Sequence, residues 1–144
     1  MKTEITEQKA ILLNLLSEYT DYGGFPQASL EKDGTLIKTT FNSILYRDIV
    51  PRFGIQNALA LETLARYLVS NPGKPSSYRS LSTLMGIKHE DTAKNYLSYL
   101  EKAYLFESLL RFDFSIRKQL SNLKKIYPAD TSLTRHAGNL FSAE

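Results

Sequence analysis

Lys94, Asn95, Ser98 and Lys102, with Thr92 ahead of them, recur along one side of a stretch with helical periodicity. A helix there presents them on a single face. Asn can pair bidentately with adenine, Lys can reach guanine or phosphate, and Ser or Thr can hydrogen-bond to either. Further along, Arg117-Lys118 place two cations in a polar stretch, suited to phosphate or minor-groove contact. Read together, these seven side chains describe a face for double-stranded DNA. The plainer reading stands beside it, because polar residues on the outside of any helix look the same. Arg117-Lys118 and Lys124-Lys125 also suit a hairpin edge protected against aggregation. Glu90, Asp91 and Glu101 repel phosphate unless they point away.

Other chemistries find few residues to carry them. The chain has no Cys, which excludes disulfides, thiolate zinc sites and thiol nucleophiles. Its two histidines, His89 and His136, do not suggest a metal site or a Ser-His-Asp arrangement. No glycine precedes a Lys-Ser or Lys-Thr pair, and Gly73-Lys74 runs into Pro75, so a P-loop is missing. Glu7-Gln8-Lys9 matches the Glu-x-Lys string of magnesium nucleases only by chance. The expectation is a non-enzyme without cofactor or metal.

Periodicity supplies the elements. Ile5, Leu12, Leu15, Leu16 and Tyr19 stripe a first helix, stopped by Gly23-Gly24-Phe25-Pro26. Ile37, Phe41, Ile44, Leu45 and Ile49 stripe a second, starting near Asp33 or Gly34 and ending at Pro51 and Gly54. Each offers a face to bury. A third helix is predicted over 56–70, buried through Leu61, Leu64, Ala65 and Leu68, followed by a loop at Lys74-Pro75-Ser76-Ser77. A short helix fits 78–85, with Gly86 as its left-handed cap and Ile87 packing in the turn. The clearest helix covers 91–103, with Ala93, Leu97, Leu100 and Tyr104 inward. Residues 105–114 and 123–127 read as paired strands around a basic loop at 115–122, and 129–144 as a weakly patterned tail.

Helix, loop, short helix, tight turn, longer helix and hairpin form the order of a winged helix-turn-helix. Its second helix is propped outward, where it can enter a major groove about 12 Å wide. Charge is distributed consistently with that order. The 144 residues carry 18 Lys+Arg and 15 Asp+Glu, and residues 72–127 hold ten basic against five acidic side chains. Residues 1–50 hold five against seven. A local positive field matters more to phosphate than the total of +3. No apolar run approaches the about 18 residues of a membrane span, and the polar N-terminus lacks a secretory core, so a cytoplasmic protein is expected.

Five phrases add a family resemblance: Tyr22-Gly23-Gly24-Phe25-Pro26, Leu45-Tyr46-Arg47-Asp48-Ile49, Leu64-Ala65-Arg66-Tyr67-Leu68, the run from Thr92 to Leu105, and Lys124-Lys125-Ile126-Tyr127-Pro128-Ala129-Asp130. In this order they resemble the C-terminal half of a prokaryotic AAA-type ATPase family, over nearly the whole chain. Its members carry an N-terminal P-loop core and a C-terminal region with a winged helix and a restriction-endonuclease-like part. The resemblance implies that 1–54 is a lid-like helical segment, 55–128 the winged helix, and 129–144 the start of a nuclease-like region. Both the ATPase core and the nuclease body fall outside the chain. Arg47 then either reaches a nucleotide phosphate or serves structurally beside an Asp48–Arg52 surface pair. Asp130 reads as a turn or helix cap.

The resulting expectation is a mainly α fold, a helical N-terminal segment plus a winged helix-turn-helix with a small β-hairpin. The function expected is non-catalytic DNA binding. The alternative is a protein-interaction module that couples ATPase subunits or forms homo-oligomers.

Overall fold

A computed structural model describes residues 2–138, with side chains from Thr6 onward except that of Ser121. The described chain is mainly helical and contains a three-stranded antiparallel sheet. Helix α1 (Lys2–Tyr22) ends at Gly23, whose φ of 65° breaks the helix. Helix α2 (Pro26–Glu31), absent from the sequence reading, starts on a proline, whose missing N–H costs nothing in a first turn. Helix α3 (Gly34–Ser43) follows, capped by Asp33, whose side chain accepts from the Thr35 amide.

The helix expected to end at Pro51 and Gly54 ends between them, at Arg52, with Pro51 inside its last turn. A π-helical turn (Ile44–Ile49) leads directly into α4 (Val50–Arg52), with Pro51 inside it, and the helix ends before Gly54, φ 61°. Pro lacks an N–H and its ring presses on the carbonyl four residues back; a widened turn ahead of it relieves that clash. The wide turn also suits the spacing of four that joins Ile37, Phe41, Leu45 and Ile49. Such spacing drifts around a 3.6-residue helix, yet all four are buried here.

Helix α5 (Ala58–Ser70) is capped by the Asn57 side chain. Strand β1 (Pro75–Ser76) lies where a loop was expected, and Ser77 and Ser80 form a capping box at the start of α6 (Tyr78–Leu84). Gly86, φ 67°, closes α6: its amide bonds Thr83 O and the Ile87 amide bonds Ser82 O, a Schellman pair. Helix α7 (Glu90–Lys102) then runs to the same kind of closure, with Tyr104 bonding Glu101 O and Leu105 bonding Leu100 O. The left-handed position there is held by Tyr104 at φ 56°. Tyr104 is therefore 86% exposed, against the expectation of an inward residue, because the helical stripe stops two residues before it.

Strand β2 (Phe106–Leu110) is shorter than predicted. The expected basic loop contains helix α8 (Ile116–Ser121), started by Ser115, whose side chain accepts from the Lys118 amide. Strand β3 (Lys124–Pro128) returns between the other two, in the order β1-β3-β2. Its register sets Ser108 against Ile126 and Pro75 against Lys125. Phe106 and Ile126 face inward and join Leu61, Leu64, Leu81, Leu97 and Leu100 in one core with Phe41 and Leu45 of the N-terminal helices.

Two expectations fail at the ends of the chain. The segment expected to be a weakly patterned tail contains α9 (Thr131–His136), which packs against α1 and α3 and buries Leu133 and Ala137. Residues 139–144 lie outside the described residues. The α1 stripe is not buried: Leu12, Leu15, Leu16 and Tyr19 are each more than half exposed. The side chain of Ile5 lies outside the described residues. The C-terminal end of α1 is held where Asp21 O meets His136 Nε2 at 2.8 Å and Asp21 Oδ1 meets Arg135 Nη1 at 2.8 Å.

Candidate nucleic-acid interface

Helix α7 owes its orientation to Ala93, Tyr96, Leu97 and Leu100, which are buried and fix its inner face. The outer face therefore carries Lys94, Asn95 and Lys102 exposed and Ser98 half-buried. Glu90 and Asp91 occupy the first turn, where the positive end of the helix dipole favours acids, and Lys102 the last, where it favours a cation. That acidic first turn sits where a recognition helix normally meets bases, so any DNA contact begins at Lys94.

Two grooves run along this face. Lys94 lines a cavity of about 340 Å³ with Tyr78, Glu101, Ser108, Leu110, Leu120 and Lys124. The α8 residue Leu120 and the β3 residue Lys124 form its far wall, so α7, α8 and β3 share it. Ser98 and Lys102 line a neighbouring groove of about 480 Å³ with Glu101, Tyr104, Glu107 and Ser108. Ser108 Oγ, common to both, is buried without a hydrogen-bond partner among the described residues. Asn95 lines neither groove and stands on the open side of α7. Arg117 and Lys118 are exposed on α8.

Several of these cations already have local contacts. Lys124 Nζ lies 4.2 Å from the centroid of the Tyr78 ring and donates to Leu120 O at 3.3 Å. Lys102 Nζ sits 5.8 Å from the Phe53 ring and 6.0 Å from Tyr99, and those rings stack at 4.0 Å. Glu101 and Glu107 offset part of the positive field in the grooves. The face is therefore mixed in charge, not uniformly basic.

A second polar cluster lay beyond the sequence reading. Arg66 is 7% exposed on the otherwise apolar face of α5. Its Nε donates to Glu62 Oε1 at 2.7 Å, and its two terminal nitrogens donate to Ala137 O and Asn42 Oδ1, both at 3.0 Å. The Tyr46 hydroxyl, on the π turn, donates to Glu62 Oε2. That bond, with burial and the Glu62 charge, pushes the Tyr46 phenol up to about 12. Burial by itself would raise Glu62, but the Tyr46 and Arg66 hydrogen bonds and the guanidinium charge hold its carboxyl below the usual range. The cluster joins α3, the π turn, α5 and the segment after α9. An i,i+4 Glu–Arg pair inside an apolar helix was the signal available for it.

The remaining flagged residues have structural settings. Asp48 pairs with Arg52 at 2.6 Å, as the spacing implied. Arg47 is exposed beside Thr39, Asn42, Ser43 and Tyr46. Asp130 caps α9 by accepting from the Ser132 amide at 2.9 Å, and its other oxygen accepts from the Gly24 amide at 2.6 Å. Among the described residues no cluster of three or more His, Asp or Glu is arranged to hold a metal ion. No helix among them is long and apolar enough to cross a membrane.

The architecture is mainly helical, with a small three-stranded antiparallel sheet and two helices, α6 and α7, joined through the Gly86 turn. The chain belongs to the family described as Domain of unknown function (DUF8612), which it matches over residues 13–144. It is 28% identical over 140 residues to an "Uncharacterized protein" of Haemophilus influenzae, an alignment covering 92% of this chain and 35% of that protein. It is 29% identical over 133 residues to "Uncharacterized protein MJ1544" of Methanocaldococcus jannaschii, covering 87% of this chain and 30% of that protein. The chain thus spans about a third of the length of the curated relatives it matches. No solved structure matches it.

Proposed function

We propose that the chain is a non-catalytic winged-helix module that binds double-stranded DNA with little sequence preference. Lys94, Asn95, Ser98 and Lys102 supply the recognition helix, and Arg117 and Lys118 the wing. The observation that carries this reading is the shared cavity, in which Lys94 of α7 faces the wing residues Leu120 and Lys124. A duplex lying along that cleft meets helix and wing together, and phosphate neutralisation dominates its affinity. Glu101, Glu107 and the acidic first turn of α7 keep that affinity modest. The resemblance to AAA-type ATPases favours a module of this kind working beside a motor in a longer protein. Relatives about three times as long leave room for one. The test is duplex binding across a salt series. Affinity that falls steeply with salt and weakens in Lys94→Ala supports the reading; absent or salt-insensitive binding at low ionic strength removes it.

A further inference from the structure

We propose that α1 of one copy docks on the wing of a second copy, in a head-to-tail contact that can propagate. Two separate apolar surfaces carry the inference. On α1, Ile11, Leu12, Leu15, Leu16 and Tyr19 are 55–66% exposed over three turns. The one charge within that band, Glu18, is paired with Lys32 at 2.6 Å. On the wing, Phe112, Phe114 and Ile116 are 74%, 97% and 74% exposed. Beside them a cavity of about 360 Å³ is lined by Pro75, Leu109, Leu110, Arg111, Leu123 and Lys125, an apolar floor with a cationic rim. Apolar surface of this extent on both sites marks interaction surfaces, not ordinary solvent-facing residues.

Charge selects how the surfaces pair. Residues 106–128 carry Arg111, Arg117, Lys118, Lys124 and Lys125 against Glu107 and Asp113, a net of +3. Residues 6–33 and the adjoining Arg135 carry Glu7, Glu18, Asp21, Glu31 and Asp33 against Lys9, Lys32 and Arg135, a net of −2. Wing on wing repels, whereas α1 on wing attracts and buries leucine side chains in the apolar cavity. Within one copy α1 packs on α2, α3 and α9, while the wing packs on α7, β1, α5 and α9; α9 touches both, and the exposed α1 stripe reaches the apolar wing surface only in another copy. A contact between two different surfaces of the same chain is heterologous and stays open-ended unless it closes a ring.

Sedimentation of the full chain tests the contact at about 100 µM, where a micromolar association is saturated. The weight-average mass is expected to rise about twofold or more above the monomer as concentration increases. Leu12→Ser/Leu16→Ser and Phe112→Ser/Phe114→Ser each give monomers with unchanged far-ultraviolet dichroism, since all four positions are exposed. Mixed in equal amounts, the two variants retain one intact α1 and one intact wing, and form a complex capped at two copies. A monomeric parent chain overturns the proposal. So does association that survives in the wing variant but not in the α1 variant, which would mean α1 pairing with α1, and so does a mixture that stays monomeric. Lys94→Ala leaves association unchanged, so this result is independent of DNA binding.

Discussion

Asp130 Oδ1 lies 1.8 Å from where a Cβ on Gly23 would stand, while Asp130 Oδ2 takes the amide of Gly24. The carboxylate that caps α9 therefore also seats against the turn that ends α1, over one hundred residues earlier in the chain. Gly23→Ala must expel Asp130 as well as adopt a left-handed backbone. It is expected to cost roughly 2–4 kcal/mol in urea unfolding. Gly54→Ala separates the two effects: its φ is 61° and a Cβ there meets nothing within 4 Å, so only the backbone cost of about 1 kcal/mol applies. Equal losses at the two sites would refute the role given to Asp130.

Tyr104 and Gly86 occupy the same left-handed position of two Schellman closures. Tyr104→Gly removes the penalty without removing a buried contact, since the ring is exposed. A gain of about 1 kcal/mol is expected, read as a higher urea midpoint at constant slope.

The Arg66 cluster predicts a loss and two pH effects. Arg66→Met leaves Glu62 and Ala137 O without their buried partner and should cost about 3–5 kcal/mol. Glu62, held below the usual carboxylate range, contributes stability present above its unfolded value and lost as pH falls through its folded value. Tyr46, raised from 10.0 to about 12, contributes stability present below 10.0 and lost as pH rises toward 12. Absorbance titration of tyrosinate should show a component near 12 that Tyr46→Phe deletes; its persistence in the variant would contradict the assignment to Tyr46.

For DNA, Lys94→Ala is expected to lower duplex affinity uniformly across sequences and to reduce the salt slope by about 0.9. Lys102→Ala should also lose up to about 1 kcal/mol of folding stability, because its ammonium lies beside the Phe53 and Tyr99 rings. Binding isotherms paired with urea melts distinguish the two lysines. Identical behaviour of both variants in both assays would contradict the difference drawn between them.

The hairpin, α7 and the Gly86 turn were legible because each is written locally, in apolar periodicity or in a residue that alone fits its backbone. β1 was not: two residues, one of them a proline, hold a strand only because β3 supplies the other half of the ladder. α9 was hidden for a similar reason. Thr131–His136 has little apolar stripe, and its stability comes from Asp130, Leu133 and the bonds of His136 and Arg135 to α1. The exposed stripe of α1 shows the converse failure, since periodicity states that a helix has an apolar side but not that a surface opposite exists. At the candidate interface Lys94, Ser98 and the repelling Glu101 were legible, whereas Glu107 of β2 joins Ser98 and Glu101 only through the fold.

The seating of Asp130 on Gly24 has a consequence for the newborn chain. Synthesis proceeds from the N-terminus, so the turn after α1 leaves the ribosome about a hundred residues before its clasp exists. The central strand β3 also arrives late, which delays ribbon closure until nearly the whole chain has emerged. For that interval the leucines of α1 face solvent on a helix whose clasp has yet to form.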